Sequence, residues 1–149
     1  FFTIFSPTSL FAATEQFLET RFSTIRYAEE NELSNFLWRI SGKRLSLAAN
    51  AAFLKKRIDE LVERVEAVLG IYPDSFHFDI YLEPEYHGGD IAFYSSHHRS
   101  ITVAVDRVTD GVLAHEIAHA VINAYFKIPP PQKVQEILAQ YVDRHLWGE

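Results

Sequence analysis

The chain has 149 residues, 48% of them hydrophobic and 23% charged, with a formal net charge of −6 at pH 7. These proportions exclude a disordered chain and predict one globular domain over 1–149. It contains no cysteine, which excludes a disulfide scaffold, a thiolate zinc finger and a cysteine nucleophile. Any metal site must therefore use histidine and carboxylate. The net acidity argues against a nucleic-acid partner, and no apolar run reaches the roughly 18 residues of a membrane span.

The N-terminal portion, 1–70, is predicted to be mainly helical. Pro7-Thr8-Ser9 is typical of a helix start. An apolar stripe at helical spacing follows it: Leu10, Phe11, Phe17, Leu18 and Phe22. Residues 22–28 predict a short strand or a connection. Hydrophobic residues at helical spacing predict further helices over 31–40 and 45–69.

The compartment stays open between export and the cytoplasm. The uncharged run 1–14 is compatible with the tail of a cleaved export signal, although it lacks the basic start of such a signal. The interpretation that we favour is an N-terminal segment that packs its phenylalanines on the domain.

From residue 76 the hydrophobic period changes from helical to alternating. The predicted elements are strands at 76–83, 91–95 and 99–105, and helices at 110–126 and 132–146. Asp110 is the predicted N-cap of the first of these helices, and Pro129–Pro131 separates the two. Helices, then a strand meander, then two helices indicate an α+β domain with a small, mostly antiparallel sheet of three to four strands.

The most informative residues are His115-Glu116-Ile117-Ala118-His119 on the first of these two helices. Side chains four apart on a helix lie on one face, so both imidazoles can reach one zinc ion. Glu116 is not a natural ligand from its position, but it can face a zinc-bound water as a general base. Because the flanking residues are apolar, this helix is predicted to be largely buried, where unpartnered His and Glu would be costly.

A catalytic zinc needs a third protein ligand, and the last helix offers candidates. Glu136, Gln140 and Asp143 share one of its faces. The proline run favours an antiparallel hairpin of the two helices, which brings Glu136 to the level of His119. Glu136 is therefore the best candidate, and Asp143 is the alternative.

A strand meander, a helix with H-E-x-x-H, a short loop and a helix with a glutamate resemble the zincin metallopeptidases of the gluzincin, thermolysin-like type. The resemblance covers about 76–146, the predicted zinc-binding core. It implies zinc ligands at His115, His119 and Glu136, with Glu116 as the base that activates water against a peptide carbonyl. Gln135 stands where larger members often carry Asn, and Gln140 where they often carry an acid. These differences favour the small minigluzincins.

The resemblance also implies that the strand at 91–95 binds the backbone of a peptide substrate by strand addition. A donor to the oxyanion is expected from a tyrosine or histidine. The candidates are Tyr86, His87, Tyr94, His97, His98, Tyr141 and His145.

Two readings compete with the zinc peptidase. One is a zincin-like domain that binds metal or protein but cuts nothing, and the other is a helical partner-binding protein with an accidental motif. The helical N-terminal part, 1–50, either packs behind the sheet as a scaffold or covers the cleft as an inhibitory pro-segment. The oligomeric state is not indicated by the sequence.

Overall fold

The computed structural model describes residues 15–42 and 47–147. The strands in those residues are β1 (Gln16–Glu19), β2 (Ser23–Tyr27), β3 (Phe78–Glu83), β4 (Ala92–Ser95) and β5 (Ser100–Ala104). The helices are α1 (Glu30–Ser41), α2 (Leu47–Leu69), α3 (Asp110–Tyr125) and α4 (Gln132–His145). The chain is therefore α+β, as the sequence predicts. Within the described residues, no helix combines the length and apolar character that a membrane crossing requires.

The strands form one mixed sheet in the order β1-β2-β3-β5-β4. Antiparallel pairing joins β1 to β2 and β4 to β5, whereas the β2–β3 and β3–β5 pairs are parallel. The predicted sheet of three to four mostly antiparallel strands is therefore wrong in both number and direction. The β2–β3 pair can be parallel because α1 and α2 intervene along the chain and supply the long crossover that parallel strands need.

The predicted helix through Phe17, Leu18 and Phe22 is wrong, because these residues belong to the β1–β2 hairpin. Thr20 closes the turn: its amide donates to the Ser23 carbonyl at 2.8 Å, and its hydroxyl accepts from the Ser23 amide at 3.0 Å. Phe17 is exposed and Leu18 is half-buried, which is the alternation of a strand. The predicted helix start at 7–9 and the uncharged run 1–14 lie outside the described residues.

The helices predicted over 31–40 and 45–69 are confirmed by α1 and α2, except at residues 45 and 46, which lie outside the described residues. Both helices are followed by a glycine in the left-handed region, Gly42 at φ 76° and Gly70 at φ 71°. Their amides donate to the carbonyls of Trp38 and Glu66. Glycine adopts this conformation without the steric cost of a Cβ, which explains why each helix ends there.

The predictions for the C-terminal half are confirmed with slightly shorter bounds. In β3 the side chains of Phe78, Ile80 and Leu82 are buried, while Tyr81 between them is exposed. The N-cap of α3 is Thr109 rather than Asp110, since the Thr109 side chain accepts from the Val112 amide at 3.2 Å. Asp110 instead occupies the first turn, where its negative charge interacts favourably with the positive end of the helix dipole.

Helix α3 lies at the centre of the structure. It contacts the helices α2 and α4 and the strands β4 and β5 of the sheet. Apolar side chains all along it are therefore buried: Leu113, Ala114, Ile117, Ala118, Ala120, Val121 and Ile122. This packing holds the H-E-x-x-H segment between the edge of the sheet and α4.

Candidate metal centre

His115, His119 and Glu136 converge between α3 and α4. Each offers one ligand atom, and these atoms all lie within 4.8 Å of one another. The Nε2 atom of His115 is 3.0 Å from Glu136 Oε1, and the Nε2 atom of His119 is 2.9 Å from Glu136 Oε2. The three residues that the sequence singled out as ligands are thus brought together. Asp143, the alternative ligand, instead lies beside Gly111 in the first turn of α3.

The tautomer of His119 follows from a buried hydrogen-bond network. The Gln135 side chain donates from Nε2 to the Pro130 carbonyl at 3.0 Å, and a carbonyl can only accept. The Gln135 Oε1 atom therefore faces His119 Nδ1 at 3.0 Å and accepts a hydrogen bond from the Nδ1–H group. Asn123 supports this orientation, since its amide donates both to Gln135 Oε1 and to the His119 carbonyl.

With the proton on Nδ1, neutral His119 presents a lone pair at Nε2, aimed at the Glu136 carboxylate. Two acceptors facing each other at 2.9 Å repel, so this contact requires a positive charge between them, either a proton on His119 Nε2 or a metal ion bound by both groups. Metal-bound histidine usually donates its other ring N–H to an oxygen acceptor, as His119 does here to Gln135. Two imidazoles and one carboxylate match the three-ligand set of catalytic zinc sites. The residues therefore fit zinc, although the same donors also suit other transition metals.

The two histidines differ in their surroundings. The His119 side chain is 5% exposed and bonded at both ring nitrogens. The His115 side chain is 20% exposed, and within the described residues only its Nε2 atom has a hydrogen-bond partner. Of the two candidate ligands, His119 therefore has the ring held in a fixed orientation, and His115 borders the open cleft.

Glu116 links α3 to the edge strand β4 by a hydrogen bond. Its Oε1 atom accepts from the Tyr94 amide of β4 at 2.8 Å. Burial raises the pKa of the Glu116 carboxyl, against the lowering effects of His119, the Tyr94 N–H and His115. A carboxylate that is partly desolvated holds a proton more readily than one in water.

Glu136 has the opposite electrostatic character. Burial would raise the pKa of its carboxyl, but the neighbouring His119 and His115 outweigh that effect and lower it. The carboxyl therefore stays ionised, as a metal ligand must. The Gln132 side chain adds a donor to Glu136 Oε2 at 3.2 Å.

These groups open into a cavity of about 450 Å³, which we call the metal cavity. One wall is β4 with its flanking residues, from Asp90 to Ser96. The other walls are the face of α3 that carries His115, Glu116 and His119, and the start of α4. Of the seven predicted oxyanion donors, Tyr94 lines it, and its ring stacks on that of His119 with centroids 6.5 Å apart. No described residue from 15–42 is among the lining residues, so that part of the N-terminal portion does not cover the metal cavity. The scaffold role of the predicted segment 1–50 stays a prediction.

Sequence reasoning missed the roles of Gln135, Asn123 and the Tyr94 amide. A signal for the first two was present, since Asn123 follows His119 by one helical turn and Gln135 precedes the glutamate ligand. The Tyr94 contact depends on strand position and had no such signal.

Comparisons of the chain with protein family models, with curated proteins and with solved structures gave no significant match. The resemblance to the gluzincins therefore stays a prediction drawn from the sequence motif.

Proposed function

We propose that this protein is a zinc-dependent peptidase. The observation that carries the proposal is the convergence of His115, His119 and Glu136 directly beside Glu116 and the free edge of the sheet. The three ligands would hold zinc, and Glu116 would serve the reaction without binding the metal. Zinc bound there would lower the pKa of a water toward about 7 and polarise the carbonyl of the scissile bond.

Glu116 is the proton carrier. Its Oε1 atom is bonded to the Tyr94 amide, which leaves Oε2 to accept the proton of the attacking water. The raised pKa of the carboxyl lets it hold this proton and then deliver it to the leaving amine. The Tyr94 N–H also fixes the direction of the carboxylate, so that the proton moves along one short path.

Strand β4 provides the surface for the substrate backbone. It is the last strand of the sheet, and it pairs with β5 on one side only. The Ala104 amide donates to the Ile91 carbonyl, so alternate residues of β4 bond to β5. By this alternation, the backbone groups of Ala92 and Tyr94 point to the free edge, beside the metal cavity. The Tyr94 N–H already donates to Glu116, so the Ala92 N–H and the carbonyls of Ala92 and Tyr94 are the groups open to a peptide. A peptide can add there as a further strand.

Tyr94 is the donor that we assign to the oxyanion. Burial raises the pKa of its phenol, although the positive charge of Arg99 opposes this. The phenol therefore keeps its proton at neutral pH and can donate a hydrogen bond to the oxyanion. The other six candidates do not line the metal cavity.

The proposal is tested with the wild-type protein and the Glu116→Gln variant. Zinc binding is measured by titration and elemental analysis, and cleavage of a complex peptide mixture is followed by mass spectrometry. We expect one zinc per chain in both proteins, cleavage by the wild type, and a fall of at least about 1,000-fold in the variant, since the general base is lost.

Full activity of Glu116→Gln, or no zinc binding by the wild type, would overturn the proposal. Stoichiometric zinc without cleavage of any peptide would instead indicate the catalytically silent metal-binding domain.

A further inference from the structure

A second cavity, of about 280 Å³, adjoins the metal cavity beyond the C-terminal end of β4. The two cavities share Tyr94, Ser96 and Asn123 as wall residues. Pockets that enclose a whole small-molecule ligand measure roughly 300–1,000 Å³, so this cavity has room for one side chain of a larger ligand. We call it the Arg99 pocket.

The charges in the Arg99 pocket are positive only. Arg99 lines it, and no carboxylate does. Within the described part of the chain, none of the ion pairs includes Arg99. The remaining walls are neutral or apolar, among them Phe76 and Ala120, and His77 bonds to the Thr24 hydroxyl at 2.8 Å. Arg99 is an exposed residue, so its guanidinium is open to solvent and can pair with the carboxylate of a ligand that enters the pocket.

The backbone at Arg99 has an unusual conformation. Its φ of 50° is the only positive value at a non-glycine position among the described residues. The backbone is fixed there, because the Asp79 amide donates to the Arg99 carbonyl at 3.1 Å. Glycine would adopt this turn between β4 and β5 without strain, so the turn geometry gives no reason for an arginine.

Tyr94 lies between the two cavities. It lines both of them, whereas Arg99 lines only the second. Tyr94 in turn contacts the metal cavity through its ring and its amide. An anionic group in the Arg99 pocket would therefore lie within a short stretch of peptide from the catalytic carboxylate.

We infer that the Arg99 pocket is a substrate subsite that takes an aspartate or glutamate side chain of a peptide lying along β4. This inference rests on the proposed function, because it assigns a preference to the same cleft. A peptide antiparallel to β4 has its N-terminal part at the C-terminal end of the strand. For that direction, the acidic residue precedes the scissile bond.

The test uses a set of alanine-based nonapeptides, each with one glutamate at a different position, and a matched set with glutamine. Cleavage by the zinc-loaded wild-type protein is measured for every pair, and binding of the same pairs to Glu116→Gln is measured by fluorescence anisotropy. We expect glutamate to be preferred about tenfold over glutamine at one position, and less so at high salt.

The key variant is Arg99→Gly, which suits the positive φ and removes the charge. The glutamate-to-glutamine ratio should fall close to one in this variant, and Arg99→Lys should retain part of the preference. Lys55→Gln, which removes an exposed positive charge on α2, is the matched control and should keep the full ratio.

The two proposals fail in different ways. Cleavage without a glutamate preference, or a preference that survives in Arg99→Gly, would overturn the subsite and leave the peptidase. Arg99-dependent binding of glutamate peptides without cleavage would support the subsite and overturn the proposal that the protein is a peptidase. Absence of both binding and cleavage would overturn both.

Discussion

The α3–α4 hairpin and the β-sheet are held together in different ways. In the hairpin, the proposed metal ligands lie close in sequence, with His115 and Glu136 21 residues apart. In the sheet, β2 pairs with β3 across both intervening helices, so that Ser23 lies beside Phe78. The candidate metal site of the hairpin is formed by a few polar contacts between α3 and α4, whereas the sheet is stabilised by the burial of many apolar side chains. Substitutions of the polar residues in the hairpin should therefore change zinc affinity and activity, and substitutions in the core of the sheet should change the free energy of unfolding.

Removal of a ligand should give the largest effect on metal binding. In His119→Ala we expect zinc affinity to fall by roughly 100- to 1,000-fold, since apparent zinc-binding energies of about 10–16 kcal/mol are shared by three or four ligands. Zinc titration followed by calorimetry measures this change. His145→Ala, which alters a histidine outside the site, should bind zinc like the wild type; equal affinity of both variants would contradict the ligand assignment.

A cavity in the sheet should give the opposite result. Ile80 is fully buried in β3, so Ile80→Ala should lower the free energy of unfolding by about 2–5 kcal/mol, while the folded protein binds zinc as before. Thermal and urea unfolding measure the loss. Tyr81→Ala, at the exposed neighbour, should cost clearly less. A large fall in zinc affinity of folded Ile80→Ala would break the distinction between the two regions.

The hydrogen bond to His119 Nδ1 is a finer test of the hairpin. Gln135→Leu should weaken zinc binding by about 10- to 100-fold, because the ring loses the partner that fixes its tautomer and direction. Competition with a chelator of known affinity measures the change. The exposed Gln140→Leu is the matched control. An unchanged affinity in Gln135→Leu would show that the network does not orient the ligand.

The smallest effect is expected at Glu66 on α2. Burial raises the pKa of its carboxyl, and the neighbouring Arg21 only partly opposes this. Ionisation of Glu66 therefore costs more in the fold than in the unfolded chain, where the pKa is about 4.3. This cost is absent below about pH 4 and develops as the pH rises.

Glu66→Gln should accordingly raise the melting temperature by a few degrees at most at pH 7, and leave it unchanged at about pH 4. Melting curves at both values, with the exposed Glu85→Gln as control, measure this difference. A variant less stable than the wild type at pH 7 would contradict the expected sign.

The contrast between the two regions also explains what the sequence could predict. Helix periodicity and the alternation in β3 are local patterns, and the ligands His115, His119 and Glu136 follow from helix spacing and a short loop. The order of the strands depends on which distant segments pair. The alternation of apolar and polar residues within a strand does not indicate which strand it pairs with. The spacing of Phe17, Leu18 and Phe22 suits a helix as well as a hairpin, and the turn bonds of Thr20 decide between them. The role of Gln135 depends on the position of the Pro130 carbonyl, which no spacing rule contains.

The bond between Glu116 and the Tyr94 amide has a consequence for the solution behaviour of the protein. An unpaired edge strand is a template for other chains and a common start of aggregation. Strand β4 is such an edge, and its Tyr94 N–H, which would otherwise be free to pair with a foreign strand, is bonded to a carboxylate of α3. The residue assigned to catalysis thus also protects the sheet from self-association, so Glu116→Ala should aggregate more readily than Glu116→Gln, which keeps an acceptor oxygen.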